Sequence, residues 1–332
     1  MRPSYWTSTH SRVLLKMKWL KRLLGGVLGL LAILWVGLVI YAYWPTGVDE
    51  VPAVNLAGPT DRFVNVDGVN IRYQTWGTPA ADKPTALLLH GFGNSLQSFR
   101  LLAPLLADRY YVVAIDMPGF GLSDKPAPFD YKNAHQAEMV SALIKTLDLK
   151  NVVVGGHSLG GAIAARVALK SPQVIGLVVM NPGIINSGVP AIAKYLVFPF
   201  PRIQAKLFGD REFRSRFLRN SFINPAIVTD DVVRDLGRTA QTEGYMSGMT
   251  SMMGQYSEPD ELAMLPRLTV PSLIVWGQLD RNKTMAEFEE LKANLPRSTA
   301  MLVPTSGHYV QEEAPAETAV AMHGFADRVM PL

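Results

Sequence analysis

The residues Gly156-His157-Ser158-Leu159-Gly160 set a serine between two glycines at the G-x-S-x-G spacing, where an apolar run (151 to 158) meets an alanine-rich one. A sharp strand-to-helix corner of this kind leaves its central hydroxyl standing clear of the backbone as a nucleophile, and strand and helix approach so closely that glycine is needed two residues to either side. A serine hydroxyl needs a base to take its proton and a carboxylate to hold that base in one tautomer. Groups just beyond the carboxyl ends of later strands in the same sheet would share the rim on which that hydroxyl stands. The apolar run 272 to 277 leads into Gly277-Gln278-Leu279-Asp280, and the run from 300 leads into Ser306-Gly307-His308, so Asp280 and His308 are the candidates.

Acyl transfer also needs two aligned N–H donors for the developing oxyanion. His90-Gly91-Phe92-Gly93 ends an earlier apolar run, and the backbone N–H groups of Phe92 and Leu159 are assigned to this role. The remaining histidines have plainer readings. His10 lies in the N-terminal tail, His135 and His323 sit on helical stretches, His157 points away from the serine hydroxyl, and His90 orders the glycine loop by hydrogen bonding. Asp116, at the head of DMPGFGLSD (116 to 124), is read as organising a turn.

The elements that must hold these residues alternate. Residues 63 to 76 read as two strands about Asp67-Gly68, followed by buried strands at 86 to 91, 110 to 119, 151 to 158, 174 to 183, 272 to 277 and 300 to 308. Helical stretches lie at 135 to 147, 159 to 170, 284 to 294 and 316 to 329. This pattern implies an α/β fold with a parallel sheet covered by helices on both faces. Between 184 and 268 the alternation stops, and a helical insertion there would roof the carboxyl ends of the strands, where open parallel sheets bind ligands. The insertion carries Met246, Met249 and Met253, whose flexible side chains suit an adaptable acyl pocket or, equally, the insertion's own core. Arg211, Arg214, Arg216 and Arg219 read as a solvated helix face or as holders of anionic headgroups.

The first 22 residues hold six basic residues and no acid, which accounts for more than the whole net charge of +4 and leaves the rest of the chain at −2. A nucleic-acid partner, which needs basic residues spread over a folded face, is therefore not expected. The uncharged stretch 23 to 44 is long enough to span a bilayer and closes on Tyr41, Tyr43 and Trp44. A cleaved signal peptide is the competing reading, and Met17 is a possible alternative start. The charge bias predicts a cytoplasmic N-terminus and a catalytic domain on the outer, periplasmic or extracytoplasmic side; the formal sequon at Asn282 weakly favours an envelope without N-glycosylation. The expected organisation is a basic tail (1 to 22), an anchor (23 to 44), a linker (45 to 60), an α/β core (61 to 183 and 269 to 332) and a helical cap (184 to 268). With no cysteine, thiolate chemistry and cysteine-ligated metal sites are excluded.

HGFG (90 to 93), DMPGFGLSD (116 to 124), GHSLGG (156 to 161), GQLD (277 to 280) and SGH (306 to 308) together resemble the α/β-hydrolase superfamily over roughly residues 60 to 330. The chain looks like its membrane-anchored monoacylglycerol-lipase-type and bacterial esterase or lipase members. That resemblance implies a mostly parallel eight-stranded sheet, a helical cap and no cofactor. Ser158 departs from the aspartate elbow of haloalkane dehalogenases and many epoxide hydrolases. The expected function is hydrolysis of small-molecule or lipid carboxylic esters through an acyl-enzyme. A thioesterase or amidase would use the same triad, and the rival of another class is a non-catalytic membrane-tethered binding protein.

Overall fold

The structure, a computed structural model, describes residues 7 to 189, 192 and 195 to 330, with side chains from residue 16 onward. The chain forms two compact units, residues 1 to 46 and 47 to 332.

The first unit is one helix, α1 (Thr7–Tyr43). Its segment Lys16–Tyr43 has a mean hydropathy of 2.6 over its most apolar window and is long and apolar enough to cross a membrane, about 20 residues being sufficient. The helix begins well before residue 23, because the basic tail contains no proline or glycine after Pro3 to interrupt it.

The second unit is built on eight strands: β1 (Arg62–Val66), β2 (Val69–Trp76), β3 (Thr85–Leu89), β4 (Tyr111–Ile115), β5 (Val152–His157), β6 (Val174–Met180), β7 (Ser272–Gly277) and β8 (Ser298–Val303). They lie in the order β1-β2-β4-β3-β5-β6-β7-β8. The pairs β1/β2 and β2/β4 are antiparallel and the rest parallel. The first pair turns at Asp67-Gly68, both at positive φ, as the Asp-Gly hairpin signal requires.

Alternate residues of the buried strands feed two cores. Leu87, Leu89, Val152, Val154, Val179 and Ile274 face one side, where they meet α3 (Asn133–Thr146), α4 (Leu159–Lys170) and α9 (Met285–Asn294). Ala86, Leu88, Val153, Val178, Met180 and Val275 face the other, covered by α2 (Ala103–Leu106), α10 (Val310–Glu313) and α11 (Pro315–Val329). Each fully buried aliphatic side chain is worth about 1.5–3 kcal/mol, so this double-sided apolar pattern fixes the register of the strands whose ends carry the chemistry.

Between β6 and β7 the chain builds α5 (Phe200–Gly209), α6 (Arg211–Ser221), α7 (Asp230–Gly237) and α8 (Tyr245–Met253). No named strand interrupts them among the described residues. Leu218, Phe222, Val232, Val233 and Leu236 form a small core of their own that includes Tyr309. The stretch read from the sequence as a linker is partly fastened down. Val51 bridges Thr242, with Val51 N–H donating to Gln241 O at 2.7 Å and Glu243 N–H donating to Val51 O at 3.0 Å, and the Glu50 carboxylate accepts from Gly244 N–H at 3.0 Å. The open backbone edge at residues 241 to 243 gives Val51 a partner that no local pattern announces.

Candidate active site

The chain order of the sheet reverses between β3 and β5, a switch point of the kind at whose carboxyl ends open α/β sheets bind ligands. Leu89 stands opposite Gly156 and Gly156 opposite Val179, so the loops after β3, β5 and β6 start side by side. Residues 90 to 93 leave β3 and Ser158 caps β5; Asn181 follows β6, Asp280 lies beyond β7 and His308 beyond β8.

Ser158 has φ 51° and ψ −118°, a backbone state disfavoured for a non-glycine residue, as the sharp corner before α4 demands. The corner also explains its glycines. A β-carbon on Gly156 would lie 2.1 Å from Gly160 O, and one on Gly160 would lie 2.2 Å from Leu89 O. The loop after β3 is equally close, since a β-carbon on Gly91 would meet His157 Nδ1 at 2.8 Å and Ser158 Cβ at 3.1 Å. The Phe92 and Leu159 N–H groups donate no hydrogen bond among the described residues, and Leu159 opens α4, where a helix leaves its first donors unused.

His308 Nδ1 and Asp280 Oδ2 are 2.6 Å apart. Asp280 also accepts from Asn282 N–H (2.8 Å) and Asn181 Nδ2 (2.9 Å). Burial pushes the Asp280 carboxyl up, but the His308 hydrogen bond and charge, with the two N–H donors, outweigh it and leave the group below the usual carboxylate range. His308 is brought to the corner through His157. Its backbone carbonyl accepts from His157 Nε2–H at 2.9 Å, and the two rings lie 4.7 Å apart edge to face. The His157 ring is buried, which, with His308 beside it, holds its pKa well below the ordinary histidine value and keeps it a neutral donor.

The structure thus places Ser158, Asp280, His308, Phe92 and Leu159 at or just beyond the carboxyl ends of neighbouring strands, with His308 paired to Asp280 and in ring contact with His157, the residue before Ser158. Met249 is buried in the core and Met246 and Met253 pack half-buried against it, on a helix whose neighbours are α5 and Lys125. His90 keeps the structural role read for it: burial lowers its pKa, Nδ1–H donates to Gly91 O at 2.7 Å and Nε2 accepts from Met117 N–H at 3.1 Å. Asp116 accepts from Leu96 N–H and Leu122 N–H, both at 2.7 Å, and pairs with Arg72 at 3.0 Å.

Two positioning groups escaped the sequence reading. Asn181, at φ 40°, accepts from Gly277 N–H (2.8 Å) while holding Asp280, and its signal is an asparagine directly after a buried strand, where left-handed backbone favours it. Glu313 accepts from Gly307 N–H at 2.6 Å and from Ile223 N–H, tying the His308 loop to the end of α6. Phe222 stacks on Tyr309 at 4.4 Å beside it.

Comparison with known proteins agrees with this architecture. The family described as alpha/beta hydrolase fold matches residues 84 to 315. An uncharacterized hydrolase of Bacillus subtilis, YugF, is 32% identical over 259 residues, covering 77% of this chain and 94% of its own. A 2-hydroxy-6-oxononadienedioate/2-hydroxy-6-oxononatrienedioate hydrolase of Cupriavidus pinatubonensis is 27% identical, covering 80% and 94%. Among solved structures, a membrane phospholipase A described as a bacterial virulence factor superposes with a TM-score of 0.67 at 27% identity, covering 97% of this chain and all of its own. By sequence, sheet order and the layout of its loops, the chain belongs to the α/β-hydrolase fold family and is a hydrolase.

Proposed function

We propose that the chain is a serine hydrolase that cleaves carboxylic esters of apolar acyl groups, tethered to a bilayer by α1. The observation that carries this reading is the His308–Asp280 pair at 2.6 Å, whose imidazole lies in ring contact with the residue preceding Ser158. Ser158 Oγ attacks the ester carbonyl while His308 Nε2 takes its proton, and the oxyanion rests on the Phe92 and Leu159 N–H groups. His308 then passes the proton to the departing alkoxide. Water, deprotonated by the same imidazole, releases the acid and regenerates the hydroxyl. Asp280, held ionised, stabilises the imidazolium that forms in each step.

Supporting an apolar acyl group are the half-buried Met246 and Met253 with buried Met249 on α8, and Phe208, which meets Phe92 at 5.6 Å. The length and hydropathy of α1, and a likeness to a membrane phospholipase A that runs over 97% of the chain, support the anchor. The basic residues before the apolar segment favour a cytoplasmic N-terminus and an extracytoplasmic catalytic unit.

A fluorophosphonate probe should label the wild-type chain and not Ser158→Ala, with ester hydrolysis lost in parallel. Labelling that persists in S158A refutes the nucleophile, and a preference for acetyl esters alone refutes the acyl pocket. Release of the chain from membranes by alkaline carbonate refutes the anchor.

A further inference from the structure

The arginines of α6 do not behave alike. Arg211, Arg216 and Arg219 are exposed, whereas Arg214 is 7% exposed. The other well-buried arginines in the unit are balanced by carboxylates: Arg72 by Asp61 and Asp116, Arg166 by Asp260 and Glu261. Arg214 has no acidic partner among the described residues, and the ionisable groups that act on its charge are the phenols of Tyr245 and Tyr309. Its one acceptor is the carbonyl of Gly93, met by Nη2. Nε is sealed from solvent without an acceptor, and Nη1 has none among the described residues. A guanidinium cannot shed its proton at ordinary pH, so this is a charge held out of water and left unbalanced, a costly state that an incoming anion would relieve.

Its position says which anion. Gly93 directly follows Phe92, and a β-carbon on Gly93 would lie 3.1 Å from Arg214 Nη1. The guanidinium sits 5.6 Å over the Phe208 ring, which meets Phe92 edge to face. Tyr309, also near the charge, directly follows His308. The unbalanced cation therefore lies beside the two loops assigned to the oxyanion and the base.

We propose that Arg214 is an anion-recognition residue of the active site, and that the preferred substrate is an ester that also carries an anionic oxygen group, a phosphodiester or a carboxylate. The planar fork of N–H groups suits both. This deepens the ester reading and rests on it.

The test uses the detergent-solubilised full chain and two matched ester pairs. One pair is a lysophosphatidylglycerol against the monoacylglycerol of the same acyl chain. The other is the 4-nitrophenyl monoester of adipic acid against 4-nitrophenyl hexanoate. In Arg214→Gln the ratio of anionic to neutral kcat/KM should fall about 30-fold in at least one pair, chiefly through KM, as loss of a charge-assisted pair implies; Arg214→Lys should recover part of it. A fall in the phosphate pair alone identifies a phosphodiester, and in the carboxylate pair alone a dicarboxylic monoester. If R214Q lowers both members of each pair by the same factor, Arg214 is only a brace for the Gly93 loop and the proposal is overturned.

A binding measurement separates this outcome from failure of the ester reading. Dodecyl phosphate or dodecanoate should raise the Tm of the wild type by more than that of R214Q. An Arg214-dependent rise in a chain that cleaves no ester keeps the anion site and removes the ester reading. No Arg214 dependence in either measurement removes the anion site, even in a working esterase.

Discussion

Asn181→Ala separates the orientation of the acid from its presence. The wild-type side chain gives Asp280 an N–H at 2.9 Å and takes one from Gly277 at 2.8 Å, in a fully buried position with φ 40°. Truncation removes a hydrogen bond to an ionised carboxylate, worth about 1.5–3 kcal/mol, and strands the Gly277 N–H, a further ~1–3 kcal/mol. Alanine in the left-handed region adds about 1 kcal/mol. A loss of about 3.5–7 kcal/mol against a typical total of ~5–15 kcal/mol leaves N181A markedly weakened. If the lost bond is felt fully as charge develops on the imidazole, kcat falls ~10- to 100-fold with KM little changed. Fluorophosphonate labelling should slow by the same factor, since it reads the same proton transfer. The acid side carries its own sign. Asp280 titrates below its unfolded value, so its contribution is present above the unfolded pKa and is lost as pH falls through the folded one. N181A removes one donor that holds the pKa down, so the acid-unfolding midpoint moves to higher pH. Urea unfolding and a pH series of kcat check both arms. A variant within 0.5 kcal/mol (about the scatter of neutral surface changes) and twofold (roughly 0.4 kcal/mol) of wild type would refute the role given to Asn181.

Two more outcomes follow from the geometry. Gly156→Ala drives a methyl into the Gly160 carbonyl at 2.1 Å, where only backbone can yield, so a loss above about 4 kcal/mol or failure to fold is expected by urea unfolding, and a wild-type midpoint would contradict the close approach at the corner. Lys125 is 4% exposed, with Nζ donating to Gly121 O and Ser123 O at 2.9 Å, and burial, outweighing Asp116, Asp124 and Glu50, brings its pKa down to about 7. Between about 7 and its unfolded 10.5 the unfolded chain holds a proton that the folded one lacks, so stability rises with pH across that window. Lys125→Met should lose this slope in urea midpoints measured from pH 6.5 to 10, a span chosen to cover roughly that window; equal slopes in both proteins would count against the buried amine.

The strands and the corner that carry the candidate site were legible because they rest on local signals. The apolar runs of the strands and the glycines forced by the corner at Ser158 all lie within short windows. The helices at 159 to 170 and 285 to 294 follow from apolar spacing, and in the structure a Thr284–Glu287 capping box fixes the start of the second. What escaped was decided by distant partners. Arg214 reads like its three neighbours until the fold turns it, with Leu218 one turn on, to the inner face of α6. Asn181 gains its meaning from Gly277 and Asp280, and Glu313 from Ile223, contacts between residues 90 or more apart in the chain.

The lacing of Val51 to residues 241 and 243 gives the helical insertion a mooring besides its two roots in the sheet. With Glu50 receiving the N–H of Gly244 at the start of α8, tension arriving from upstream is delivered to that helix before it reaches any strand. Swinging α8 outward means first unzipping the pair of backbone bonds at Val51. Severing the chain ahead of residue 50 would keep this clasp shut, whereas cutting after residue 56 would free the helical insertion on that side.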